Sequence, residues 1–311
     1  FSTGHPSIQV NLTNKYQNAS KTPLMISMDA EWGVGMRLDS VPKFPWNMSL
    51  GAIKNDLLIE KIGSEIGYQF KRLGIHMNFA PVIDINTNPK NPIIGNRSYG
   101  ENKINVSEKG ISFTKGIQSN NVLATAKHFP GHGDTSKDSH LTLPTINFDE
   151  KRIKKVELYP FKKLIEDGLS AVMIAHLNVP SLEKENMLPS TLSKNIIEKT
   201  LIKELNFNGL IITDALEMKG VSEFTKKNVD LMAFLAGNDI LLMSSDISKG
   251  IKSIKKSIKK GKISEQRLAR SVKKILKAKY KVGLNSYKSI ETTNLIDCLL
   301  YTSDAADDQL G

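Results

Sequence analysis

Six short apolar runs, each followed by polar or glycine-rich residues and separated by helix-length amphipathic segments, constrain this chain more than any other feature. They span residues 24–28, 77–82, 122–126, 171–175, 210–213 and 239–243. Such alternation is the signature of repeated β/α units around a parallel sheet. In a parallel barrel the loops after the strands' carboxyl ends form the face where chemistry is done, so the polar residues there come first for a functional reading. They are Asp29, Asp84, Lys127 with His128, His176, Asp214 and Ser244. Six runs are fewer than the eight strands of a closed barrel.

With 311 residues, 40% hydrophobic and 24% charged, the chain can bury a large core as one domain. A formal charge of +11 raises the question of nucleic acid or an acidic surface. The lysines are densest between Lys249 and Lys281, where Ile251, Ile254, Ile258, Leu268, Val272, Ile275 and Leu276 recur at helical spacing. Two solvated amphipathic helices account for that run, and no nucleic-acid motif accompanies it, so no nucleic-acid partner is expected. No apolar stretch is long enough for a membrane-spanning helix. The single cysteine, Cys298, excludes an internal disulfide framework. The compartment is left open.

The densest group of reactive side chains is KHFPGHGDTSKDSHLTLP, Lys127 to Pro144, directly after the apolar run VLATA. It holds His128, His132 and His140 among Pro130, Gly131 and Gly133. In Asp138-Ser139-His140 the carboxylate can accept from one imidazole nitrogen and leave the other to move protons, which suits a general acid/base. Histidine and carboxylate clusters also bind zinc, but none of the helical zinc motifs is present; no metal and no cofactor is expected. In GLIITDALEMKGV a strand ends on Thr213-Asp214, where an aspartate can serve as a nucleophile at a barrel mouth. Taken alone, the same aspartate reads first as a helix N-cap for ALEMKGV, and the acid/base segment beside it is what favours the nucleophile.

Together with Asp29-Ala30-Glu31-Trp32-Gly33 and Arg37, NFAPVIDINTNP, GNRSYGEN, MIAHLNVP and GNDILLM, these segments resemble the N-terminal domain of glycoside hydrolase family 3. They are most similar to its bacterial β-N-acetylglucosaminidase branch. The likeness covers nearly all of residues 1–284, in the family's motif order. It implies a TIM-type (β/α)8 barrel and a retaining exo-β-N-acetylglucosaminidase. The activity implied is removal of terminal N-acetylglucosamine from cell-wall muropeptides or chitooligosaccharides. By the same resemblance Asp214 is the nucleophile and His140, held by Asp138, the acid/base. Asp29, Arg37, Arg97, Lys127 and His128 fall on positions that hold the terminal sugar, although Arg37 and Arg97 individually read as structural ion pairs too.

Retaining hydrolysis normally uses two carboxyl residues, one as nucleophile and one as acid then base. A histidine acid/base does not repel an anionic acceptor, which leaves phosphorolysis as an alternative, beside a non-catalytic carbohydrate-binding relative. Two departures stand out: Ala215 where many relatives carry a second acidic residue, and Trp32 where many carry glycine. They resemble a subgroup in which a further C-terminal module follows. The resemblance places 24–28 third in the barrel, so the first strand and most of the second are expected to be missing. Residues 1–284 are then an incomplete catalytic barrel domain. Residues 285–311 are expected to be a disordered or non-native tail, since Cys298 to Asp308 resembles translated sequencing-adapter text.

Overall fold

The computed structural model describes residues 3–136, 142–185, 187–222, 224, 228–296 and 299. Five parallel strands, β1 (Ser27–Met28), β2 (Met77–Asn78), β3 (Leu123–Phe129), β4 (Ala171–Ile174) and β5 (Leu210–Thr213), lie side by side in sequence order. The helices in chain order are α1 (Pro6–Ala19), α2 (Asn47–Gly51), α3 (Asp56–Arg72), α4 (Lys103–Ser119), α5 (Glu150–Lys155), α6 (Leu158–Glu166), α7 (Lys219–Ser222), α8 (Val229–Ala236), α9 (Ile247–Lys259) and α10 (Glu265–Lys281), with a π-helical stretch at Asn195–Glu204. Sequential strands joined by helical crossovers make a parallel half-barrel.

The two edges of the sheet explain why the outer apolar runs are not full strands. At residues 24–26 side chains take over the ladder: Gln17 exchanges hydrogen bonds with both backbone groups of Leu24, at 2.7 Å each, and Ile26 N–H donates to His76 Nδ1 at 3.1 Å. At the other edge, residues 239–243 join β5 through a single bridge, Ile212 to Ile240. There Leu242 N–H donates to Thr213 Oγ1 (2.8 Å) and Ile211 N–H to Asp239 Oδ2 (3.1 Å), so neither bond joins two backbone groups. Backbone pairs at these edges include Ile240 N–H to the Ile211 carbonyl and Thr213 N–H to the Ile240 carbonyl, at 3.1 Å each, and His76 N–H to the Ile26 carbonyl at 2.8 Å; side chains supply others.

Side-chain alternation sorts the sheet into two cores, as a pleat requires. Met77, Phe79, Leu123, Ala171, Met173, Leu210 and Ile212 face the inside of the half-barrel, where Val282 and Leu284 pack against them. Ala124, Ala126, Val172, Ile174 and Ile211 face outward into the larger core, with Ile66 and Phe70 of α3 and Phe113 and Ile117 of α4. Helices α3 and α4 approach closely at Gly116, where an added Cβ would sit 2.1 Å from the Glu60 carbonyl oxygen. After α10 the chain returns along α1: Tyr287 Oη donates to Asn14 Oδ1, the Ile290 N–H donates to the same oxygen, and Leu295 is buried. Among the described residues no helix is long and apolar enough to cross a membrane.

Candidate active site

The carboxyl ends of β1, β2, β3 and β5 bring most of the site residues expected from the sequence to one pocket. Asp29, Arg97, Lys127, His128 and Asp214 all line it, with His132, Phe79, Met173, Glu217 and Met218. Arg37 stands one step back and reaches it through Asp29, donating from Nε to the Asp29 carbonyl (2.9 Å) and from a terminal nitrogen to Oδ2 (3.1 Å). Asp138 and His140, expected from the sequence as the acid/base dyad, lie outside the described residues.

Lys127 and His128 are neighbours in sequence, yet both reach the pocket. The register between β3 and β4 shifts between Ala126 and Phe129, and a shift of that kind re-aims side chains at a strand's end. Lys127 Nζ then lies 2.6 Å from Asp29 Oδ1 and 2.7 Å from Glu31 Oε1. Glu31 in turn takes two hydrogen bonds from Arg97, Nε to Oε2 at 2.9 Å and a terminal nitrogen to Oε1 at 2.7 Å. Burial disfavours the Glu31 charge, but Lys127 and Arg97 outweigh it and hold the carboxyl far below its usual range. Burial works equally against the Lys127 ammonium, and Asp29 and Glu31 reverse it, so its pKa is raised. The result is a fixed chain of alternating charges, Arg37–Asp29–Lys127–Glu31–Arg97, along one wall.

A second buried carboxylate organises the histidines. Asp84 accepts from the backbone N–H groups of His128 (3.1 Å) and His132 (2.7 Å) and from His128 Nδ1 (2.6 Å). Burial resists its charge, while His128 and His132 more than compensate and lower its pKa. Because Asp84 accepts only, His128 Nδ1 carries a proton, and Nε2 faces Arg97 at 3.3 Å. His132 is held neutral, its pKa lowered to about 4 by burial and by the His128 ring. Its loop passes so close to Ile85 that a Cβ on Gly133 would lie 1.7 Å from the Ile85 carbonyl oxygen, which only glycine tolerates.

Asp214 follows β5 directly. Its N–H donates to the Ile174 carbonyl at 2.9 Å, and its Oδ1 accepts from the Ala215 N–H at 2.8 Å. Burial opposes its charge, but the His176 and His128 rings, the Ala215 N–H and Lys127 prevail and lower its pKa. An anionic carboxylate at a pocket wall beside fixed cations can attack an electrophilic carbon. Glu31, Asp84, His132 and His176 complete this site without having been assigned a place in it from sequence. Asp84 and His176 carried a signal, each being polar and following an apolar run; Glu31 lies two residues from Asp29 on the same loop. Among the described residues no three His, Cys, Asp or Glu side chains converge as a metal ion would require.

Comparison with known proteins gives a consistent picture. A family model described as the glycosyl hydrolase family 3 N terminal domain matches residues 3–278. The chain is 35% identical over 307 residues to beta-hexosaminidase A of Pseudoalteromonas piscicida, covering 89% of this chain and 51% of that protein. Among solved structures it is similar to a glycoside hydrolase family 3 beta-N-acetylglucosaminidase from Paenibacillus sp. str. FPU-7, with TM-score 0.86 and 36% identity, covering 96% of this chain and 61% of that one. It is also similar to a beta-glucoside phosphorylase, with TM-score 0.90 and 26% identity over 96% of this chain and 56% of that one. The chain thus spans about half the length of the first curated relative it matches.

Proposed function

Because this chain belongs to glycosyl hydrolase family 3, we propose that it is the catalytic part of a retaining exo-β-N-acetylglucosaminidase, with Asp214 as nucleophile and His140, held by Asp138, as acid/base. The observation that carries the reading is an anionic Asp214 at the carboxyl end of β5, in one pocket with Lys127, His128, Arg97 and Asp29. In the first step a carboxylate oxygen of Asp214 bonds to the anomeric carbon, the glycosidic C–O bond breaks, and His140 gives its proton to the departing oxygen. In the second, His140 takes a proton from water as the water oxygen displaces Asp214. Asp29, Arg37, Arg97, Lys127 and His128 orient the terminal N-acetylglucosamine, their fixed charges offering donors and acceptors to ring hydroxyls. The substrates are N-acetylglucosamine-terminated glycans, muropeptides or chitooligosaccharides.

Residues 1–284 form the catalytic unit in this reading, part of an eight-stranded barrel of which β1 to β5 and the 239–243 run are six members. Water is the proposed acceptor in preference to phosphate. Each described arginine or lysine of the pocket wall faces a carboxylate already, Arg37 with Asp29, Lys127 with Asp29 and Glu31, and Arg97 with Glu31. The exposed carboxylate of Glu217 adds negative charge at the mouth. A phosphate anion entering such a site meets net repulsion. Incubation with a chromogenic β-N-acetylglucosaminide and with chitobiose, with and without inorganic phosphate, tests both points. Free N-acetylglucosamine at a rate independent of phosphate is expected; absence of turnover, or a sugar 1-phosphate as main product, would overturn the proposal.

A further inference from the structure

His176 is fully buried, follows β4, and is assigned nothing in the mechanism above, yet its ring reaches the residue next to the nucleophile. Its Nε2 lies 2.9 Å from the Ala215 carbonyl oxygen. A carbonyl only accepts, so Nε2 carries a proton. On the other side Nδ1 lies 2.6 Å from Thr191 Oγ1, and that hydroxyl is also 2.8 Å from the Ala175 carbonyl oxygen. The hydroxyl has one proton to give. When it goes to Ala175, Nδ1 must donate and the ring is an imidazolium; when it goes to Nδ1, the ring is neutral. In both states Nε2–H holds Ala215, whose own N–H holds Asp214 Oδ1 at 2.8 Å.

We propose that His176, seated on Thr191, is a positioning residue for the nucleophile: through the Ala215 peptide it fixes which Asp214 oxygen is occupied and leaves the other to attack. The inference rests on Asp214 as nucleophile. Three features support it. Thr191 is itself immobilised, being fully buried with its carbonyl accepting from Asn238 Nδ2 at 2.9 Å. The chain Thr191–His176–Ala215–Asp214 ties the loop after β4 to the loop after β5, the two strands that also pair most regularly, from Ala171 opposite Leu210 to Ile174 opposite Thr213. The ring is also the largest single contribution drawing Asp214 toward its charged form. The other described titratable groups in the pocket with Asp214 are Lys127 and His128 from β3, His132 from the loop after β3, Asp29 after β1, Arg97 after β2, and Glu217 from the turn after β5.

Two substitutions separate holding from charging. His176→Leu removes both and should lower kcat by about 100-fold with KM nearly unchanged, the pattern of a misplaced reacting group. His176→Gln keeps an N–H that can reach the Ala215 carbonyl but carries no charge. It should recover most of kcat, while Asp214 titrates at higher pH than in the wild type, followed by 13C NMR of its carboxyl and assigned with Asp214→Asn. An unchanged kcat in His176→Leu, a kcat in His176→Gln about 100-fold below wild type despite its N–H, or an Asp214 titration in His176→Leu that overlays the wild type, would overturn the inference. If the leucine variant does not fold, the glutamine variant carries both readouts. The NMR titration needs no substrate, so a wild type inactive on every β-N-acetylglucosaminide would count against the proposed function and leave this result readable.

Discussion

The two ends of the half-barrel interior occupy the same inward-facing register and are held by opposite means. At the amino end Met77, Leu123, Ala171 and Leu210 meet Val282 and Leu284 in an apolar plug. At the carboxyl end, the inward position four residues along β3 from Leu123 is Lys127, locked between Asp29 and Glu31. An apolar plug loses stability in proportion to the volume removed. A buried charge chain loses far more when one member is taken, because the partner is left uncompensated, even though such chains add little net stability over an apolar equivalent. The carboxyl end is therefore the costly end, and its cost is understandable only through the chemistry it supports.

The sharpest way to break this comparison is Asp214→Asn. It removes the attacking charge at nearly constant volume, so turnover should fall by roughly 10^4-fold or more while the denaturant midpoint stays close to wild type. Steady-state kinetics and urea unfolding on one preparation decide it, and substantial residual turnover would mean another group attacks. Next comes Glu31→Gln, which leaves Lys127 and Arg97 without the carboxylate between them. A loss of about 3–5 kcal/mol in unfolding free energy is expected, with activity falling as well. At the opposite end Leu284→Ala should cost about 2–4 kcal/mol and leave kcat/KM unchanged. If Leu284→Ala damaged kcat/KM as much as Glu31→Gln, the two ends would not be separable.

What the sequence shows of this molecule follows the same division. The apolar runs announce β3, β4 and β5 closely, since a buried parallel strand is apolar on both faces and needs no partner information to be seen. The edges are less legible: at 24–26 and 239–243 the side chains of Gln17, His76, Thr213 and Asp239 stand in for part of the backbone ladder, and those contacts depend on the assembled sheet. The pocket residues Asp29, Lys127, His128 and Asp214 are readable as polar groups after apolar runs. Their supports are not, because Glu31 meets Arg97 66 positions away and Asp84 meets His128 44 positions away. Local pattern carries no trace of such pairings. For Asp138 and His140 the sequence remains the whole basis of the assignment.

The smallest expected effect compares one histidine at each end. His76, just before β2, and His132, at the pocket, are both buried, and each has its pKa lowered from 6.5 to about 4. For His76 burial is the main cause and the Lys71 cation the second; for His132 it is burial and then the His128 ring. Between about pH 6.5 and about 4 the unfolded chain binds a proton on each that the native fold refuses. Stability is therefore highest above pH 6.5 and declines as the pH falls through this window. His76 accepts the Ile26 N–H on Nδ1, a role that an asparagine carbonyl can fill without titrating. His76→Asn should reduce the slope of unfolding free energy against pH in this window by up to about 1.4 kcal/mol per pH unit, the value for one proton, and leave the pH profile of kcat unchanged. His132→Asn should flatten the same slope and alter the kcat profile too, since its ring lies in the pocket with Asp214. Urea titrations at half-unit steps from pH 4 to 7 measure the slope, and a kcat profile that moved with His76→Asn would show that the two ends are electrostatically joined.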